Sequence, residues 1–258
     1  MKLKKDLSVA FLATAILSIA APAIAQDGWT GEASLSGSRT TGNTDTTDLG
    51  LALKLEKDTE TWGHSLYGTV DFGRVDGDQN KERYTVGYQL DRNLTERLYV
   101  FGNGDYYRDE FGAFDEGYYL GAGVGYKLVL PAPLGWDIEG GAGFRSQNPR
   151  TPDVPDELTE AELAILEATG DLDRQNEFGL RGASKLTYDF NDNVSLYNNS
   201  EVTWTSSDTY LWNEIGITAN LFGNLAARAS YRVDHHTDPV FGENTDTISR
   251  VGVVYTIK

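Results

Sequence analysis

Residues 118–128 read Tyr-Tyr-Leu-Gly-Ala-Gly-Val-Gly-Tyr-Lys-Leu. Taken alternately they separate into two rows. Tyr118, Leu120, Ala122, Val124, Tyr126 and Leu128 are all apolar or aromatic, whereas Tyr119, Gly121, Gly123, Gly125 and Lys127 are small, polar or charged. Side chains two apart leave the same face of an extended chain, so the pattern predicts a strand with one wholly apolar face. Eleven residues exceed the usual five or six of a soluble strand and match the length a tilted strand needs to cross a bilayer. The glycine row fits a closely packed inward face. A phosphate cradle would need a following helix.

The same period recurs in both directions. Leu49, Leu51, Leu53 and Leu55 oppose Asp48, Lys54 and Glu56, and Trp136, Ile138, Ala142 and Phe144 oppose Asp137, Glu139 and Arg145. Twelve such segments begin near positions 28, 47, 63, 80, 97, 118, 135, 174, 194, 209, 225 and 247. Their connections sort by parity. After odd-numbered segments lie 40–46, 75–79, 109–117, 147–173, 207–208 and 236–246; after even-numbered ones lie 57–62, 92–96, 130–134, 191–193 and 222–224. The first set holds nineteen acidic residues and one base, Arg150, and the second only four acids and two bases. Long acidic loops at one end and short turns at the other are the layout of an outer-membrane barrel with an even strand count. The short link at 207–208 breaks the rule. Aromatics gather at both ends: Trp29, Trp136, Phe190, Phe222 and Tyr255 near the short turns, and Phe72, Tyr106, Tyr118, Phe144, Phe178, Trp204 and Tyr231 toward the loops. Two such girdles suit the two headgroup levels of a membrane. The expected fold is therefore all-β, a twelve-stranded antiparallel transmembrane barrel. In it Asn198 and Ser200 fall on the lipid-facing row, where amide and hydroxyl groups without partners are costly.

Composition narrows the function classes. With 39 acidic against 22 basic residues, a net charge of −17 and no basic cluster, nucleic acid is excluded as a partner. The absence of cysteine removes zinc ribbons, thiol chemistry and disulfides. A mean hydropathy of −0.41 excludes a polytopic helical membrane protein. Residues 1–25 have a basic start, an apolar stretch from Leu7 to Ala21 and the ending Ala23-Ile24-Ala25, which reads as a secretory signal peptide cleaved before Gln26. The barrel then occupies 26–258 of an exported protein of the cell outer membrane.

Two stretches, GWTGEASLSGSRTTGNTDTTDLGLALKL at 28–55 and NEFGLRGASKLTYDFNDNVSLYNNSEV at 176–202, resemble recurrent blocks of the salt-stress-induced, YdiY-like outer-membrane proteins. The resemblance implies an outer-membrane barrel with a link to salt stress, and it supplies no catalytic residues. The ending Arg250 to Ile257 also looks like the signal read by the barrel-insertion machinery, carried by Gly252, Tyr255 and Ile257, although the chain ends in Lys258 rather than an aromatic.

Catalytic candidates are few. A lipid-acting enzyme on this scaffold would need a serine with a histidine base, but His64 and Ser65 are neighbours and point to opposite faces. His235 and His236 with Asp234 and Asp238 fit a solvated loop cluster better than a metal site. No cofactor motif is present. On the inward row, a two-residue turn at 207–208 would set Glu201 opposite Glu214, and a three-residue turn at 222–224 would set Glu214 opposite Arg232. Arg181 and Lys185 then lie diagonal to Glu201. Facing carboxylates need nearby cations, so an inward charge network of Arg181, Lys185, Glu201, Glu214 and Arg232 is expected. Loop 147–173 carries one short helix, with a capping box at Thr159–Glu162 and an end at Gly170. The functional expectation is a monomeric, passive, porin-like channel or envelope component, in contact with outer-membrane lipid and lipopolysaccharide. The alternative is a non-conducting surface barrel whose acidic loops bind a partner or divalent cations, and third comes an outer-membrane lipid-acting enzyme.

Overall fold

A computed structural model describes residues 28–40, 46–112, 114–129, 133–150, 173–238 and 244–258. The signal segment and the loop helix both lie outside the described residues. Twelve strands follow one another: β1 (Thr30–Thr40), β2 (Thr46–Asp58), β3 (Trp62–Val75), β4 (Asp78–Asn93), β5 (Leu98–Asp109), β6 (Phe114–Val129), β7 (Leu134–Pro149), β8 (Gln175–Asn191), β9 (Val194–Trp204), β10 (Thr209–Phe222), β11 (Leu225–His236) and β12 (Thr245–Ile257). Each pairs antiparallel with its sequence neighbours, and β1 pairs with β12, closing the barrel. Closure pairs both edges of every described strand, which a bilayer demands because hydrocarbon offers no hydrogen bonds.

Burial is inverted relative to a soluble protein. Among the described residues twenty-nine large hydrophobic side chains are exposed, Leu120, Val124, Leu180, Ile217 and Val251 among them, while Gln89, Glu139, Arg145, Arg181, Asp208 and Asp234 are buried. Lipid is the solvent that reconciles an apolar outside with a polar inside. The girdle residues Trp136, Phe190, Phe222 and Tyr255 at the short-turn end, and Tyr106, Phe178, Trp204 and Tyr231 toward the loop end, stand exposed on that outer wall.

The strands reach further on the loop side than the spacing of the sequence suggests. The β3–β4 link is only Asp76-Gly77, with φ of 50° and 92°. That is the two-residue hairpin in which both central residues take positive φ, a conformation Asp-Gly favours. Arg108 pairs with Glu116 and Gln147 with Gln175, so parts of the expected 109–117 and 147–173 links continue the ladders. The barrel thus extends as a rim on its acidic side.

The closing seam is built for close approach. A Cβ at Gly252 would collide with the backbone of Leu35 and Ser36 on β1, and one at Gly31 with the backbone of Lys54. Leu55 and Ile257 both pair with Gly31 and bury over it, with Trp29, Leu53 and Leu66 packed against them. All three residues assigned to the insertion signal, Gly252, Tyr255 and Ile257, pair with β1 in the seam, Ile257 buried and Tyr255 exposed on the outer face.

Candidate functional site

The lumen is the candidate site. The alternation in β7 and β8 sends Glu139, Arg181 and Lys185 inward, and the register then decides what they meet. Arg181 pairs with Gly141 and Lys185 with Asp137, which leaves Glu139 between them on the facing strand. Glu139 accepts from Arg181 at 2.8 Å and from Lys185 at 2.7 Å. It also accepts from Tyr99 on β5 at 2.9 Å and from Gln89 on β4 at 3.0 Å. Its side chain is 1% exposed. A carboxylate so far from water persists only if its lone pairs are matched by charge and hydrogen bonds, and four donors from three strands do that. Arg181 in turn holds Glu201 on β9 at 2.7 Å and stacks over Phe101, 5.4 Å from the ring centre.

Of the expected network, Arg181, Lys185 and Glu201 come together in this way. Glu214 and Arg232 do not join them. They face each other in the β10–β11 ladder, yet each takes another partner. Arg232 binds Asp234 at 2.7 Å, beside Tyr210, and lies over the Trp212 ring. Glu214 accepts from Tyr197 at 2.7 Å and lies 3.9 Å from Arg250, which is bound to Asp71 across the seam at 3.0 Å. The expected pairing of Glu201 with Glu214 is corrected: Glu201 faces Trp212, and Glu214 faces Asn199. The cause is the turn, which spans 205–208 rather than 207–208, so the register slips by two residues. Thr205 and Asp208 close it through Thr205 N–H to the Asp208 carbonyl, 2.9 Å.

That turn also accounts for the link that the sequence shortens to 207–208. Asp208 points into the mouth of the barrel, where its side chain is 2% exposed. His236 lies 2.6 Å from its carboxylate and Arg145 3.3 Å. The backbone N–H groups of Thr237 and Asp238 donate to it at 3.0 and 3.2 Å. Burial pushes the Asp208 carboxyl up, but the His236 hydrogen bond and charge, the Asp238 N–H and Arg145 outweigh it and hold it well below the usual carboxylate range. Tyr210 stacks on His236 with centroids 4.6 Å apart, and Phe114 approaches the same ring at 6.1 Å. The turn is thereby tied through Asp208 to β7 and to the end of β11. His235 instead faces Thr245 at 2.8 Å, so the two histidines do not converge. Among the described residues no His, Asp and Glu group is placed to hold a metal.

Elsewhere on the lumen wall tyrosines lie over glycines. Tyr67 faces Gly87, Tyr99 faces Gly125, Tyr107 faces Gly117 and Tyr197 faces Gly216, each across a ladder. A side chain at any of these glycines would overlap the ring. The alternation placed Glu139 on the inward row, but the long β7–β8 loop hides the register from sequence, and Glu139 was absent from the expected network. Asp208 gave no signal except the anomalous brevity of its link.

No curated protein matches the chain. Among solved structures, the NanC porin has a TM-score of 0.51 at 11% identity, covering 87% of this chain and 98% of its own. The translocator domain of the autotransporter NalP from Neisseria meningitidis has a TM-score of 0.47 at 13% identity, covering 98% and 97%. An outer-membrane channel from Pseudomonas putida F1 has a TM-score of 0.49 at 13% identity, covering 89% and 94%. The family model described as "Protein of unknown function, DUF481" matches residues 33–257. The chain belongs to this DUF481 family, the YdiY-like outer-membrane proteins, and is an outer-membrane β-barrel.

Proposed function

We propose that the barrel is a narrow passive channel for ions and small polar solutes, with its constriction at the level of Glu139 and Arg181. The observation that carries this reading is that charged side chains from β7, β8 and β9, with Gln89 of β4 and Tyr99 of β5 bonded to them, form one cluster on the lumen wall. Merely filling a cylinder does not call for buried ion pairs, since well-packed apolar side chains stabilise as well or better. Charge on a lumen wall is what a path for hydrated solutes uses. The exported, processed chain starting at Gln26, its contact with lipopolysaccharide and its recognition by the insertion machinery belong to the same reading, as does a role in salt stress.

In planar-bilayer recordings the purified barrel is expected to conduct weakly. Arg181→Ala should raise that conductance and shift selectivity toward cations, because Glu139 and Glu201 then have only Lys185 to balance them. A second reading, a non-conducting barrel presenting acidic loops to a partner or divalent cations, is favoured by the burial of Gln89, Tyr99, Phe101, Glu139 and Arg181 at that level. Absence of conductance in both wild type and Arg181→Ala would overturn the channel and leave the second reading.

A further inference from the structure

The apolar outer wall is interrupted by an island of neutral polar groups. Ser184 on β8, Ser200 on β9 and Asn213 on β10 are successive cross-strand neighbours, and Asn198 lies one step along β9 on the same face. Asn198 and Asn213 exchange amide hydrogen bonds of 3.3 Å in each direction. Asn213 Nδ2 donates to Ser200 Oγ at 2.6 Å, Asn198 Nδ2 to the Glu214 carbonyl at 3.4 Å, and Trp136 Nε1 to Ser184 Oγ at 3.0 Å. All four residues are half-exposed.

The island lies at mid-depth. On its loop side stand Leu180, Val202 and Leu211, and on its turn side Leu196 and Ile217, with Phe190 and Phe222 beyond them and Phe178 and Trp204 at the opposite girdle. Its groups are thus surrounded by hydrocarbon, which can match neither an amide nor a hydroxyl. The internal bonds do not use everything: the amide bonds are long, Ser200 Oγ donates to Asn198 Oδ1 only at 3.5 Å, and among the described residues no donor reaches the second Asn213 Oδ1 lone pair and no acceptor the Ser184 hydroxyl hydrogen.

We propose that the island is the contact through which two copies of this chain pair in the membrane. A partner must present donors and acceptors at this same depth. A second copy does so by construction, because two barrels inserted in the same direction are related by an axis along the membrane normal, which keeps every residue at its own depth. A two-fold contact also requires a self-complementary patch, and an island holding both amide and hydroxyl groups is one. The pairing is independent of whether the lumen conducts.

Because the chain has no cysteine, a Ser200→Cys variant carries a single thiol, with Val86→Cys on the exposed face of β4 as the control. Oxidation in native outer membranes is expected to join Ser200→Cys chains into a species of twice the mass while Val86→Cys remains single. Adding Asn198→Leu and Asn213→Leu should remove most of that species, with heat-modifiable gel mobility verifying the folded barrel. If Ser200→Cys fails the mobility criterion, Ser184→Cys carries the same measurement. No doubled species, equal coupling at Val86→Cys, or an adduct of a different mass overturns the proposal.

Discussion

Tyr99 lies over Gly125, directly across the β5–β6 ladder, and its hydroxyl reaches Glu139 two strands away. The missing side chain at position 125 is what lets the ring lie along the wall and aim its hydroxyl at the carboxylate. Packing on this lumen wall and the buried charge of Glu139 are therefore coupled through one aromatic ring.

Gly125→Val should destabilise the barrel by about 1–3 kcal/mol, the usual cost of overpacking. Gly140→Ala has nothing within 4 Å of the new methyl and should stay within about 0.5 kcal/mol of wild type, as surface substitutions do. Urea unfolding in lipid vesicles measures both. Equal losses would mean that backbone freedom, not the ring, sets the requirement for glycine.

Glu139→Ala leaves Arg181 with one carboxylate partner, Glu201, and strips Lys185 of its own. Breaking a buried pair from one side costs about 3–5 kcal/mol, with the exposure of Lys185 drawing the figure toward the lower end. The double change Glu139→Gln with Arg181→Met removes both charges and should recover most of the loss. If the double variant unfolds as readily as Glu139→Ala, the pair is not what the lumen requires.

Acid should loosen the mouth first. The folded Asp208 carboxyl titrates below its unfolded value, so the stability it contributes is complete above an ordinary aspartate pKa of about 3.9 and is lost as pH falls from there toward the folded value. Asp208→Asn should flatten that part of the stability profile. The Thr237 and Asp238 amides, which donate to Asp208, should gain exchange rate ahead of those in β5 and β6. Amide exchange measured down the acid range checks the order, and simultaneous loss in all strands would contradict it.

Gly252→Val should prevent the β1–β12 seam from closing, since the new side chain meets the backbone of Leu35 and Ser36. The unheated protein should then lose its compact gel mobility. Tyr255→Ala, on the exposed face, should keep that mobility once folded and slow assembly only. A folded Gly252→Val barrel would show that the seam tolerates a wider strand separation.

Much of this was legible in residues 28–258. A period of two with one apolar row, as in 118–128, is a local property of the chain, and once the apolar row is too long for a soluble strand only lipid can cover it. The parity of the links gave the strand number and the end that carries the acid. The same alternation put Arg181, Lys185, Glu139 and Glu201 on the inward row and left Asn198 and Ser200 conspicuous on the outward one.

Which of those inward groups meet is another matter, because partners across a ladder depend on register and a turn longer by two residues slides every pair along. The turn at 205–208 separated Glu201 from Glu214 in that way and carried Asp208 to Arg145 and His236. Contacts that cross the lumen, such as Gln89 with Glu139, depend further on the curvature of a closed wall. Local alternation thus fixed the cylinder and its orientation, while the tertiary structure chose most of the ion pairs inside it, since partners such as Glu139 with Arg181 and Arg145 with Asp208 lie tens of residues apart and are brought together by register and closure.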